Sequence, residues 1–285
     1  MFMPRKVVEE KLKQMLAEDF GQGDVTSEAV VPAGLTANAE VLAKEEGIAA
    51  GIEEIVIFGE SLGLNVNAKV ADGDEIKKDT VILKISGNAR VILSAERTLL
   101  NLLSRMSGIA TLTRRLAEKL LKANLKVKVA ATRKTAPGLL YFDKKAVLVG
   151  GGDPHRLRLD DMILLKDNHI VIAGSVERAV KKAKAASSDK KIETEVTSTT
   201  EALKAAEAGA DIVMLDNFSA EQVRDTVAAL KKAGFFGKIL LEVSGGITEE
   251  NLLDYALAQV DVISMGALTH SVKALDISLE IVNTN

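Results

Sequence analysis

Six short apolar segments in the second half of this chain end at intervals that few folds can use. The ends fall at Lys134, Lys166, Glu195, Asp216, Ser244 and Gly266, spaced 32, 29, 21, 28 and 22 residues apart. A β-strand, a helix and two short loops consume about 30 residues, so the spacing predicts parallel strands whose C-terminal ends gather on one face. The strand candidates are KVKVAATRK, MILLK, KIETEV, DIVMLD, KILLEVS and DVISMG; between the last four lie the helical stretches TEALKAAEAG, AEQVRDTVAALKKAG and TEENLLDYALAQ. The reading is an α/β barrel, a fold that keeps its chemistry at the mouth. Because strand side chains alternate, Glu193 shares a face with Glu195, and Glu242 shares one with Ser244. If Glu195 stands at the mouth, Glu193 lies one layer deeper or turns outward.

A barrel of this kind leaves part of a 285-residue chain over, which predicts a second, smaller domain. Residues 3 to 17 carry a helical stripe of Val7, Val8, Leu12, Met15 and Leu16. In the following EDFGQGDVTS, Asp24, Thr26 or Ser27 can cap a helix or order a loop. From Leu35 to Leu93 short β-rich runs alternate with Gly and Asp-Gly turns, which reads as a small α/β sandwich. Part of it, AKVADGDEIKKDTVILKISG, has the look of a lipoyl-carrier hammerhead, but no lysine sits at the hairpin tip. AERTLLNLLSRMSGIAT, residues 95 to 111, reads as one helix, and the chain to Lys122 as a second. The expected division is an N-terminal sandwich over 1–110, a barrel over 111–270 and a C-terminal helix over 271–285.

Cysteine is absent, which excludes disulfides and thiolate metal sites. No apolar run approaches the roughly 18 residues of a membrane helix, and no secretory segment is visible, so a cytoplasmic protein without a membrane partner is expected. A net charge of −3 and 3% aromatic residues make nucleic acid an unexpected partner.

The mouth has two electrical halves. Lys134 and Lys166 face Glu195 and Asp216 at the next strand ends, and the cationic side is extended by Arg133, by His155, Arg156 and Arg158 in GGGDPHRLRL, and by Arg97. A rim of solubilising ion pairs is the plain alternative, but charges at four consecutive strand ends are costly unless paired or used. Clustered Arg and Lys suit a small, multiply anionic substrate such as a dicarboxylate. Two carboxylates are too few to cage Ca²⁺, whereas Mg²⁺ takes one or two and completes its shell with water and substrate phosphate, so Mg²⁺ arriving with a pyrophosphate is expected. Gly245 and Gly246, before a helix start expected near Thr248, and Gly266, with His270 nearby, supply two late glycine loops of the kind that cup phosphate. The role of His169 in LLKDNH stays open between structure and function.

Taken together, EDFGQGDVTS, AERTLLNLLSRMSGIAT, ATRKTAPG, GGGDPHRLRL, LLKDNH, IETEV, MLDNF, EVSGGI and MGALTHS resemble the quinolinate phosphoribosyltransferases, in order from about Glu18 to the C-terminus. The resemblance implies a smaller N-terminal α/β sandwich, an incomplete (β/α) TIM-like barrel, and a homodimer or higher homo-oligomer with shared active sites in which Arg97 serves the partner. It implies that Arg133, Lys134, His155, Arg156 and Lys166, with Thr132 beside them, hold the carboxylates of quinolinate. Glu195 and Asp216 would serve the ribose and Mg²⁺ of 5-phosphoribosyl pyrophosphate. Ser244, Gly245, Gly246, Met265, Gly266, Ala267 and His270 would form the phosphate region, and Lys134, Lys166, Glu195 and Asp216 the catalytic set. Val243 stands where members commonly carry a small residue; by alternation it points away from the barrel interior.

The implied reaction joins the quinolinate ring nitrogen to C1 of the pentose and releases pyrophosphate and CO₂, leaving nicotinate mononucleotide. The alkylated ring takes up the electrons left by CO₂, so no further organic cofactor is required; whether Lys134 or Lys166 assists stays open. Alternatives are a nicotinate phosphoribosyltransferase, a molybdenum-transport-associated homologue of the same fold, and a Schiff-base barrel aldolase using a strand-end lysine.

Overall fold

A computed structural model describes residues 3–285 of the chain. In chain order it runs through α1 (Arg5–Phe20), α2 (Val25–Val30), β1 (Thr36–Ala43), β2 (Gly47–Ile48), α3 (Ile52–Ser61), β3 (Asn65–Ala68), β4 (Glu75–Ile76), β5 (Val81–Asn88) and α4 (Ala89–Lys122). It continues with β6 (Lys128–Ala130), α5 (Leu140–Val149), β7 (Ile163–Leu165), α6 (Asp167–Ala173), α7 (Val176–Ala186), β8 (Ile192–Val196), α8 (Thr199–Ala208) and β9 (Ile212–Asp216). The last elements are α9 (Ala220–Lys232), β10 (Leu240–Ser244), α10 (Leu252–Ala256), β11 (Val262–Ser264), α11 (Ala267–His270) and β12 (Ile277–Thr284). Two compact units result: one takes the chain up to Arg114, Pro137–Gly151 and Val272–Asn285, the other Arg115–Ala136 and Gly152–Ser271.

The first unit holds an antiparallel sheet in the order β12-β1-β5-β3, with β2 and β4 as a separate pair. Alternation along β1 buries Ala37, Ala39, Val41 and Ala43, as a half-buried strand requires. Asp24 is the residue that caps: its Oδ1 accepts the Ser27 backbone N–H at 3.0 Å and starts α2. Two expectations fail here. Residues 271–285 form no terminal helix; Ile277, Leu279 and Ile281 alternate with period two, and β12 pairs with β1 from Ile277↔Ala43 to Thr284↔Ala37. The two helices expected around residues 95–122 are one, the 34-residue α4. Gly108 does not interrupt it, because a side chain there would lie 2.1 Å from the Lys273 carbonyl oxygen; the glycine serves close packing, not a break.

Residues 137–151 return to the first unit and carry α5, whose polar side chains explain why it is held. Asp143 is fully buried and takes a two-pronged contact from Arg105, at 2.8 and 2.9 Å. Lys145 Nζ lies 2.7 Å from Glu53, 2.8 Å from Glu54 and 3.1 Å from Asp72, and the Tyr141 hydroxyl donates to Glu54 at 2.9 Å. Burial opposes the charge on Lys145, but Glu54 and Glu53 override it and hold the ammonium above its usual range. Removing the cation strands the fully buried Glu54 carboxylate. Lys145→Ala is therefore expected to cost about 3–5 kcal/mol of unfolding free energy, read by urea denaturation; a loss below about 1 kcal/mol would contradict this account.

The second unit is a parallel six-stranded sheet in the order β6-β11-β10-β9-β8-β7. All six strand candidates are present. With β6 and β7 left as edges, and helices such as α7 and α8 following their strands, this is the incomplete TIM-like barrel expected. Serine caps start the helices: Ser175 Oγ accepts from Arg178, Ser198 Oγ from Glu201, and Ser219 forms a reciprocal capping box with Gln222. Register fixes which side chains share a face. Glu195 lies level with Met214, and Glu242 also lies level with Met214, while Ser244 is level with Asp216 and Ser264 with Ser244. Leu164 is level with Glu193, so Lys166, Glu193, Glu195, Asp216, Glu242, Ser244 and Ser264 all fall on one side of the sheet. Among the described residues no helix is long and apolar enough to cross a membrane.

Candidate active site

The C-terminal strand ends assemble the mouth. Lys166 is the first residue after β7, Glu195 the penultimate residue of β8, and Asp216 and Ser244 close β9 and β10. Lys166 Nζ donates to Glu195 Oε1 at 2.6 Å, joining the cationic and anionic halves on adjacent strands. The contact is half exposed on the lysine side, so it holds geometry more than it stabilises the fold. The backbone N–H of Lys166 is taken by His169 Nδ1 at 3.0 Å, which gives His169 a local structural task at the start of α6. Lys134 departs from expectation. β6 ends at Ala130, and Lys134 sits four residues beyond, in a loop where Thr132 Oγ1 accepts its N–H at 3.1 Å and the Thr269 hydroxyl donates to its carbonyl at 2.9 Å. Lys134 therefore adjoins the Gly266–His270 segment.

Arg156 and His155 are delivered by a segment that runs alongside β6. Asp153 accepts from Ala131 and donates to Val129 through the backbone, and its Oδ1 accepts the His155 N–H at 2.7 Å, holding His155 at a left-handed φ of 54°. A non-glycine residue held there costs about 1 kcal/mol or more, which the Asp153 contact offsets. Arg156 is buried; burial, then the neighbouring Arg133 charge, push it below the usual arginine value. Arg133 is exposed, and Arg158 is exposed with its Nε 3.4 Å from Asp160, a local pairing that does not extend the cationic cluster.

Beneath the mouth lies a group whose joint role the sequence did not disclose. His155 Nε2 stands 3.2 Å from Glu193 Oε2 and 3.3 Å from Glu242 Oε2. Glu193 is fully buried and Glu242 is 1% exposed. Burial opposes a charged imidazole, but the two carboxylates overcome it and hold His155 at about 10. Burial, then repulsion from Glu242, raises Glu193, with the imidazolium acting the other way. Glu193 is in the deeper layer that alternation allowed; the available signal was a glutamate two residues before a mouth residue in each of two strands.

The glycine loops are built as expected in part. At Gly245, φ is +94° and a Cβ would lie 2.2 Å from Asn217 Oδ1, so only glycine fits where the β9 and β10 ends meet. Gly246 follows at φ +64°. The helix expected near Thr248 begins instead at Leu252, because the Asn251 side chain folds the intervening turn, accepting the Thr248 N–H at 2.8 Å and donating to the Gly246 carbonyl at 3.1 Å. A Cβ on Gly266 would lie 2.9 Å from the His270 ring. Met265 is tied to Ala130 through its backbone N–H at 2.8 Å, and Ala267 begins α11. Thr132, Lys134, Met265, Gly266, Ala267 and His270 therefore share one neighbourhood. Arg97, exposed on α4, belongs to the first unit and is not among the residues gathered in the second.

Glu195 and Asp216 fit Mg²⁺ of the kind a substrate carries in. Both are half-buried, lie on neighbouring strands and share a face, and each offers hard oxygen donors, although Glu195 Oε1 accepts from Lys166 at 2.6 Å and one oxygen of Asp216 accepts from Asn217 at 2.9 Å. Two such carboxylates need substrate phosphate and water to complete the shell.

Residues 109–280 match the family model described as quinolinate phosphoribosyl transferase, C-terminal domain, and residues 24–107 match its N-terminal domain. The chain is 49% identical over 276 residues to a probable nicotinate-nucleotide pyrophosphorylase (carboxylating) of Methanocaldococcus jannaschii, covering 95% of this chain and 96% of that one. It is 44% identical over 271 residues to the corresponding protein of Methanothermobacter thermautotrophicus, at 95% and 97% coverage. The crystal structure of the nicotinate-nucleotide pyrophosphorylase of Francisella tularensis superposes with a TM-score of 0.85 at 38% identity, covering 98% of this chain and 97% of that one.

Proposed function

Because the chain belongs to the quinolinate phosphoribosyltransferase family, we infer that it transfers the phosphoribosyl group of 5-phosphoribosyl pyrophosphate to quinolinate with loss of CO₂, yielding nicotinate mononucleotide and pyrophosphate. It is a pentosyltransferase of NAD biosynthesis; the word carboxylating in its relatives' names describes the reverse direction. The observation that carries the reading is the Lys166–Glu195 contact at 2.6 Å, where a cationic cluster and a pair of carboxylates meet at one mouth. Arg133, Arg156, His155 and Lys166 bind the two carboxylates of quinolinate and turn its ring nitrogen toward the pentose. Glu195 and Asp216 lie where positive charge grows on the pentose as pyrophosphate departs, and they stabilise it. Mg²⁺, when bound there, neutralises charge on the leaving pyrophosphate. Lys134, Gly245, Gly246 and Gly266 receive the 5-phosphate, and Ser244 and His270 flank it.

After the new bond forms, the ring is a pyridinium and accepts the electron pair of the carboxylate carbon as CO₂ leaves; a proton then fills that position. Lys166 is beside the reacting ring in this arrangement, whereas Lys134 is with the phosphate loops, which favours Lys166 as the assisting lysine. The excess of fixed cations and the family match disfavour a Schiff-base aldolase. The active assembly is a homodimer or larger, with the exposed Arg97 of one subunit completing the site of another, and the compartment is the cytoplasm. The test supplies the protein with phosphoribosyl pyrophosphate, Mg²⁺ and either quinolinate or nicotinate. Equimolar CO₂ and nucleotide from quinolinate alone are expected; nucleotide from nicotinate without CO₂ would replace this reading with the nicotinate enzyme.

A further inference from the structure

We propose that Glu193 and Glu242 are positioning residues that lock the His155 ring in one orientation and keep it cationic, so that it meets a quinolinate carboxylate as a permanent positive charge. The inference rests on the quinolinate reading above and adds to it two residues that touch no substrate.

Three observations converge. First, Nε2 lies within 3.3 Å of a carboxylate oxygen from each of two strands, so one edge of the ring is engaged twice and Nδ1 is the nitrogen left for a ligand. Second, Glu193 Oε1 and Oε2 and Glu242 Oε1 have no hydrogen-bond partner among the described residues, although each is buried. Groups left in that condition cost several kcal/mol unless something compensates, and the imidazolium lies within contact distance of both carboxylates. Third, His155 itself is held at a left-handed φ by Asp153, a strain the fold tolerates to place this ring here. Nε2 can turn only one N–H toward the carboxylate pair in either protonation state; the cationic ring alone also offsets their charge and leaves an N–H on Nδ1 for an anionic ligand.

The other charges around the ring are accounted for. From its own segment come Asp153, engaged with the His155 backbone N–H, and Arg156; β8 contributes Glu193, β10 contributes Glu242, and the intervening β9 offers only Met214 at that level. Arg133 depresses Arg156, and Arg156 favours the charged form of Glu193. With the ring cationic through neutral pH, recognition of quinolinate does not depend on a group that titrates there. Removing one carboxylate removes part of what offsets burial, so the ring loses its proton as pH rises and the ligand loses a charged partner.

Two measurements test this. Among three histidines in the chain, His155 is assignable in the ring NMR spectrum of the whole protein with a His155→Asn variant. Its ring should remain protonated at pH 8 in the parent and titrate in the neutral range in Glu242→Gln. In steady-state assays at saturating phosphoribosyl pyrophosphate, the quinolinate KM of the parent should change less than about twofold between pH 6.5 and 8.5, whereas that of Glu242→Gln and Glu193→Gln should rise about tenfold, with kcat much less affected. A parent His155 that is neutral at pH 8 would overturn the proposal, as would Gln variants with the parent's KM profile. The ring measurement on the parent needs no substrate. A parent that binds no quinolinate would instead sink the functional reading and leave the charge state of the ring as found.

Discussion

Replacing Asp216 by alanine should slow turnover by about a hundred- to a thousandfold while quinolinate affinity stays within about threefold of the parent's. The reason lies in where the carboxylate stands: at the last position of β9, level with Ser244 and on the face shared with Glu195. Its charge is asked to work only when positive charge develops on the pentose, so its loss appears in kcat. Glu195→Ala provides the sharper comparison. That carboxylate also holds Lys166 at 2.6 Å, and its removal frees a cation. The Glu195 variant should therefore lose rate as strongly as the Asp216 variant yet bind quinolinate as tightly as the parent or tighter. Single-turnover rates and equilibrium dialysis of quinolinate separate the two effects. Weakened quinolinate binding with turnover intact in both variants would reverse the roles assigned here.

Arg97→Ala should be nearly inactive although every residue gathered in its own second unit is untouched. If Arg97 completes the partner's site, mixing this variant with Lys134→Ala produces heterodimers that hold one intact site and one doubly damaged site. Random exchange makes about half the dimers mixed, which should restore about a quarter of parental turnover. Rescue that rises with subunit exchange supports a shared site. No rescue in mixed dimers verified by mass would place Arg97 in its own subunit's site or outside catalysis.

What the sequence disclosed follows from which physical signals are local. The strands of the barrel were legible because each is an apolar run bounded by turns, and their parallel order follows from the helices between them. The C-terminal strand β12 was missed although ISLEIVNT alternates with period two, since its partner β1 lies more than two hundred residues earlier and pairing is not a local property. The division of α4 into two helices was wrong, and the role of Gly108 in the close approach of Lys273 was not legible, a contact no window of sequence contains. At the site, Lys166, Glu195, Asp216 and Ser244 were found by their positions at strand ends. Lys134 was assigned to a strand end because Ala131 and Thr132 carry the β-compatible run of KVKVAATRK beyond Ala130, where pairing stops. The clustering of His155 with Glu193 and Glu242 could not be read at all, because three segments 38 and 49 residues apart meet only through the curvature of the sheet.

The most direct measurement is a crystal structure of the protein with quinolinate, Mg²⁺ and a non-reactive analogue of phosphoribosyl pyrophosphate. The account predicts both carboxylates of the pyridine among Arg133, His155, Arg156 and Lys166, with C1 of the pentose between the ring nitrogen and the Glu195–Asp216 pair. A pyridine seated against Glu195 and Asp216, with the pyrophosphate taking the arginines, would contradict it.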